Sequence, residues 1–239
     1  MDKILFLSDL HGNMVATQAM AEEIERIRPD LIWFLGDAVG KGPENHKTCD
    51  WVRNNCDRFL AGNWDTGLCS HWREGIKDEF SFYDEQIGEE RFLWLESLPL
   101  ESEILISGTL FRLVHGRPTD QLYFGYDQED KLSKGFVSSD GKKTYGGLIC
   151  GDSHMPFVRD ISLGYALNTG SVGNSLGVPK AHALLVEGIL NGTEPSPVRM
   201  TVLSVPYDNR KAASIADEYP ELPDKEAFKN EVMTGKYSR

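Results

Sequence analysis

The chain has 239 residues, a net charge of −12, 40% apolar residues and 26% charged residues. That length allows one domain with a sizeable core, and the composition is that of an ordinary globular protein. No apolar run approaches the roughly 20 residues of a membrane span, the opening M-D-K-I-L-F-L-S-D lacks the long apolar stretch of a secretory signal, and no basic patch marks a nucleic-acid binder, so a cytoplasmic protein is expected.

Residues 4–7 are a short, fully apolar run ending at Ser8-Asp9, which suits a buried parallel strand. Residues 14–28 read as a helix, with apolar positions at Val15, Ala19, Ile24 and Ile27 and Pro29 just past the end. A second apolar strand at 31–35 stops at Gly36-Asp37, a short helix follows at 46–54, and a third strand lies at about 58–60. This β-α-β-α-β opening implies parallel strands with right-handed crossovers.

Residues 81–96 are predicted to be mostly helical, with Phe82, Ile87, Phe92, Leu93 and Leu95 as core candidates. Residues 104–107 and 110–114 flank Gly108-Thr109 as a hairpin. Residues 119–145 are polar and broken by glycine, and no regular element is predicted there. Strands are expected at 147–150, 157–160, 165–167, 181–186 and 198–203, and a helix at 211–219. The last dozen residues read as a loose tail on a single domain spanning 1–239. The result is a mixed α/β layer protein with a more antiparallel second half. Cys49, Cys56, Cys69 and Cys150 form no C-x-x-C pair and read as free thiols.

Several of these strands end in Asp, His or Asn beside glycine. Asp9 and His11 follow the first, Asp37 the second, Asn63 the third, His115 the run 110–114, and Asp152 with His154 the run 147–150. Side chains at i and i+2 on an extended segment point the same way, so Asp9/His11 and Asp152/His154 can each offer two ligands to one side. Sites in parallel α/β sheets gather beyond the carboxyl ends of the strands. Oxygen and imidazole donors suit divalent ions. Each element alone is weak, and the argument rests on the set.

In order and spacing the motifs resemble the calcineurin-like metallophosphoesterases. D-L-H-G-N (9–13), G-D-A-V-G-K-G-P (36–43), G-N-W-D (62–65), L-V-H-G (113–116) and G-D-S-H-M-P-F (151–157) resemble the five metal motifs of that superfamily, and L-N-T-G-S-V-G (167–173) its following segment. The resemblance implies a four-layer α/β/β/α sandwich of two mixed sheets. It also implies two divalent metal ions, manganese first, with iron, zinc, nickel or magnesium as alternatives. Asp9, His11 and His154 would hold one ion; Asn63, His115 and Asp152 the other; Asp37 would bridge them. Asp37, Asn63 and His115 would serve catalysis on a small phosphate-ester substrate, a nucleotide among the options, as a phosphodiesterase or a phosphatase.

Two departures stand out. The family usually has His where this chain has Asp152, which either binds as a carboxylate or points away from the centre. Trp64 replaces the His of G-N-H-D/E, which helps the transition state or the leaving group; small prokaryotic relatives often lack it too. Asp65 is then either a substitute acid or a structural hydrogen-bonding group. Asn13, Lys41 and Arg117 are candidate substrate-phosphate contacts, each with a plain structural or solvated role as the alternative. The competing function is a weak or inactive family member acting as a binding scaffold. Asp152 and Trp64 favour it, and the retained ligand set weighs against it.

Overall fold

The computed structural model describes residues 1–116 and 129–239. β1 (Asp2–Leu7), α1 (Met14–Ile27), β2 (Leu31–Phe34), α2 (Asn45–Asn55) and β3 (Arg58–Phe59) come first, in the alternation expected. α3 (Asn63–Glu74), α4 (Ser81–Ile87) and α5 (Glu89–Glu96) precede the hairpin of β4 (Glu101–Ile106) and β5 (Thr109–Val114). α6 (Glu129–Lys134), β6 (Gly147–Cys150), β7 (Phe157–Ile161), β8 (Gly164–Asn168), β9 (Ala181–Gly188), β10 (Arg199–Val205), α7 (Asn209–Asp217) and α8 (Lys225–Thr234) complete the order.

One sheet runs β10-β9-β1-β2-β3 and the other β4-β5-β6-β8-β7. Alternation along the strands assigns their two faces. Leu5 and Leu7 lie under the helices with Ala16, Met20 and Phe228, while Ile4 and Phe6 face the second sheet and meet Ile104, Phe111 and Ile149. On the far side of the second sheet, Leu148, Cys150 and Ala166 pack with Leu132 and Phe136. The layers are therefore α/β/β/α, as the resemblance implied.

The structure corrects three expectations. The helix at 81–96 is two helices meeting at Gly88, whose φ of 73° no helix accepts. The stretch 119–145, where no regular element is predicted, contains α6. The second half is the more antiparallel one, as expected, with four antiparallel pairings beside a β6 that is parallel to both β5 and β8. The last dozen residues are not loose: α8 buries Phe228, Glu231 and Val232 against the helix-covered face.

This topology places the carboxyl ends of β1 and β2 against those of β5 and β6. A cross-sheet contact fixes the join, with His115 Nδ1 2.8 Å from the Leu35 carbonyl oxygen.

Candidate metal centre

The turns leaving these strands hold their polar residues in an unusual backbone state. Asp9, His11, Asp37, Asp152 and His154 have φ of 57°, 47°, 61°, 65° and 57°. Left-handed backbone costs a non-glycine residue roughly 1–3 kcal/mol, and such strain persists where surrounding structure enforces it. Five of the ten non-glycine residues in that state among the described residues are candidate ligands. Strain is concentrated where the polar side chains meet.

The three motif histidines share one arrangement. His11 Nδ1 lies 3.1 Å from the Val39 carbonyl, His154 Nδ1 2.6 Å from that of Asn174, and His115 Nδ1 2.8 Å from that of Leu35. A carbonyl oxygen only accepts, so each Nδ1 carries the proton and each Nε2 turns inward. His11 Nε2 and His154 Nε2 are 3.2 Å apart. His154 Nε2 is 3.2 Å from Asp9 Oδ1, and His115 Nε2 is 3.3 Å from Asp37 Oδ2. His11 Nε2 lies between the carboxylates, 3.6 Å from Asp9 Oδ1 and 3.5 Å from Asp37 Oδ2. Two buried groups result, Asp9/His11/His154 and Asp9/Asp37/His115, each with its ligand atoms within 4.8 Å of one another. Asp9 belongs to both, and Asp37 stands between His11 and His115.

These residues fit a cation. The Asp9 Oδ2 atom is bonded by Ser8 Oγ, whereas buried Asp9 Oδ1 has no hydrogen-bond partner among the described residues. A bare, buried carboxylate oxygen among inward-turned imidazole nitrogens is costly unless a positive charge sits among them. The inward end of the Asn63 amide is 3.1 Å from Asp37 Oδ2, 3.3 Å from Asp152 Oδ1 and 3.1 Å from His115 Nε2. Nitrogen there donates to two carboxylates, while oxygen there adds one more donor atom for a cation. Asp152 also points inward, with Oδ1 3.7 Å from His115 Nε2.

The charges respond accordingly. Burial alone would raise the Asp9 carboxyl, but the His154 and His115 imidazoles hold it well below the usual range. Burial opposes charge on His115, yet Asp37 and Asp9 hold it well above the ordinary imidazole value. A proton on His115 thus does part of the balancing a divalent cation would do. Burial, aided by the Lys41 charge, pulls His11 down to about 4. Burial, against the pull of His115 and with Asp37 and Asp9 adding to it, pushes Asp152 up to about 6.

The surrounding residues have separate tasks. Asp65, in the first turn of α3, accepts the main-chain N–H groups of Asp37 (2.8 Å), Ala38 (3.0 Å) and Gly62 (2.9 Å), which joins the second motif to the third. Its carboxyl is pushed up to about 7 by burial and by Asp37. Gly62 is required here, because a Cβ would stand 2.0 Å from Asp37 Oδ1. The Trp64 main-chain N–H donates to that same oxygen at 2.9 Å. Its indole meets the His11 ring edge-on, 6.0 Å between centroids, and packs on Tyr83 and Phe80.

Of the three expected substrate contacts, Asn13 is used in capping. Its Oδ1 accepts from Ala16 N and its Nδ2 donates to the Gly173 carbonyl, so both ends are engaged. Lys41 is only 7% exposed and turns to Asn174 Oδ1 at 3.2 Å, so it extends no free ammonium toward a substrate. Arg117 lies outside the described residues. Sequence reasoning missed Ser8, which shapes Asp9, and the carbonyls of Leu35, Val39 and Asn174. Main-chain acceptors leave no signature in residue type.

The calcineurin-like phosphoesterase superfamily domain matches residues 2–188. An uncharacterized protein of Methanocaldococcus jannaschii is 28% identical over 235 residues, covering 87% of this chain and 89% of that protein. A symmetrical bis(5'-nucleosyl)-tetraphosphatase of Erwinia tasmaniensis is 28% identical over 102 residues, 39% of this chain and 37% of that protein. Among solved structures, a metallophosphoesterase from Sphaerobacter thermophilus superposes with a TM-score of 0.74 at 24% identity, covering 98% of this chain and 99% of that one.

Proposed function

The chain belongs to the calcineurin-like phosphoesterase superfamily, and we propose that it hydrolyses phosphate esters with two divalent cations, manganese favoured. Asp9, His11 and His154 would hold one cation; Asn63, His115 and Asp152 the other; Asp37, with Asp9, would lie between them. Bound there, such ions would polarise phosphoryl oxygens and acidify a water. The observation that carries this reading is the shared aim of His11, His115 and His154, whose Nδ1 atoms are anchored on carbonyls while their Nε2 atoms converge on Asp9 and Asp37. Second partners of this kind fix the tautomer of metal-binding histidines.

The chain's own residues would orient the substrate and supply fixed charge. Asn63 and His115 stand together, with Asn63 Oδ1 3.1 Å from His115 Nε2, on the side where Asp152 enters, and would face the charge developing on phosphorus. Among the described residues no group stands out to protonate the leaving oxygen, since Trp64 has no acid–base function and Asp65 is saturated by three N–H groups. The substrates favoured are therefore those whose leaving group departs as a stable anion, nucleoside polyphosphates among them. The name of the Erwinia tasmaniensis relative supports including dinucleoside polyphosphates in the test.

The test is turnover with added Mn2+. The protein should hydrolyse an activated aryl phosphomonoester or phosphodiester far faster than the matching alkyl ester. Hydrolysis of neither aryl ester would overturn the enzyme reading in favour of the scaffold.

A further inference from the structure

Lys41 sits in the loop after Asp37, with its ammonium buried beside the metal centre. Among the described residues the carboxylates that act on it are Glu231 most strongly, then Asp37 and Asp9. Its ammonium donates to Asn174 Oδ1 at 3.2 Å, and Asn174 Nδ2 donates to Glu231 Oε2 at 3.1 Å. One amide thus joins a buried cation to a buried anion. Glu231 belongs to α8, almost 200 residues away in sequence. It is fully buried and also accepts from Ser238 N at 3.1 Å and Arg239 Nε at 3.3 Å. The main-chain carbonyl of the same Asn174 holds His154 Nδ1 at 2.6 Å.

The balance of charge decides what this arrangement does. A buried ammonium is stable only beside negative charge. Here two sources of that charge act on it, Glu231 and the Asp9/Asp37 carboxylates, with the Arg239 charge opposing them. Those two carboxylates are also the shared ligands of the centre. Without Glu231, Lys41 would be left with Asp9 and Asp37 as its anions and would compete there with a divalent cation. We propose that Glu231 is a positioning residue of the metal centre: through Asn174 it holds the Lys41 ammonium away from the Asp9 and Asp37 carboxylates and leaves them to the cations. This assignment rests on the two-cation reading above and extends it to regulation of the same centre by the C-terminal helix.

The test is a double-mutant cycle read by Mn2+ titration calorimetry on the full chain, with no activity measurement. Glu231→Gln keeps the shape, removes the charge and exchanges one accepting oxygen for an NH2 donor. It should weaken Mn2+ binding by about tenfold, the lower range for loss of a residue supporting metal ligands. Adding Lys41→Met should restore the affinity to that of Lys41→Met alone, because the competitor is gone. A merely structural role for Glu231 predicts no such rescue. If Glu231→Gln does not fold, Asn174→Ala breaks the bridge while leaving both charges and carries the same two expectations. Equal Mn2+ affinity in the wild type and the first variant, or a double variant as weak as the single one, would overturn the assignment and leave the metal reading intact. A wild type that takes up no Mn2+ would overturn both.

Discussion

His115 shows how a single side chain can couple this centre to pH. Its imidazole is held well above the ordinary value by Asp37 and Asp9, so it carries a proton at neutral pH, while His11, pulled to about 4, does not. A metal ligand must give up its proton, so binding at the Asp9/Asp37/His115 group displaces one and binding at the Asp9/His11/His154 group does so less. Mn2+ affinity of the former should therefore rise with pH until the His115 value is passed. Asp152, at about 6, adds a second proton to be displaced below that pH. Calorimetry in two buffers of different ionisation enthalpy should detect net proton release at pH 7; heats that do not depend on the buffer would contradict this. At this scale part of the arrangement is legible in the sequence. Asp-x-His at 9–11, Gly-Asp at 36–37 and Asp-x-His at 152–154 each place a side chain in the site, because strand ends and glycines are local signals. The positions of Lys41 and Asn13 are set by Asn174 and Gly173, which lie more than 130 residues away and give no local signal.

The elements show where local reading stops. The three strands of the opening follow from their apolar runs, and all three occur and pair in parallel. α3 starts with the weak helix formers Asn63, Asp65, Thr66 and Gly67, yet Trp64, Leu68 and Trp72 recur at helical spacing and pack on one core. α8 lies mostly in the residues expected to be a loose tail, although Phe228 and Val232 are four apart and buried. Two glycines near the start of α3 make opposite predictions. Gly62→Ala would drive a Cβ against Asp37 Oδ1 and should cost roughly 1–3 kcal/mol, as overpacking does, while weakening Mn2+ binding through Asp37. Gly67 faces open space inside the helix, so Gly67→Ala should stabilise by roughly 0.5–1 kcal/mol and leave binding unchanged. Urea unfolding and Mn2+ titration of both variants check this. Equal effects from the two would contradict the account of how the β3–α3 turn is built.

For the whole molecule, the four layers bring the ends of two separate sheets to one place. Asp9 and Asp37 come from one sheet, His115, Asp152 and His154 from the other, and Asn63 from the start of α3. Composition and periodicity led to layered α/β packing; the convergence of the two sheets depends on contacts such as His115 with Leu35, which no single segment encodes. Among the described residues no helix is long and apolar enough to cross a membrane. The central claim, that six buried or half-buried side chains and Asp152 form one centre for two cations, is tested most directly by counting bound ions. Elemental analysis after equilibration with Mn2+ and removal of excess should give about two ions per chain for the wild type. Asp9→Asn, which weakens the carboxylate shared by both groups, should retain fewer than one with its fold intact by circular dichroism. A wild type that holds no Mn2+, or an Asp9→Asn protein that still holds two, would contradict the account.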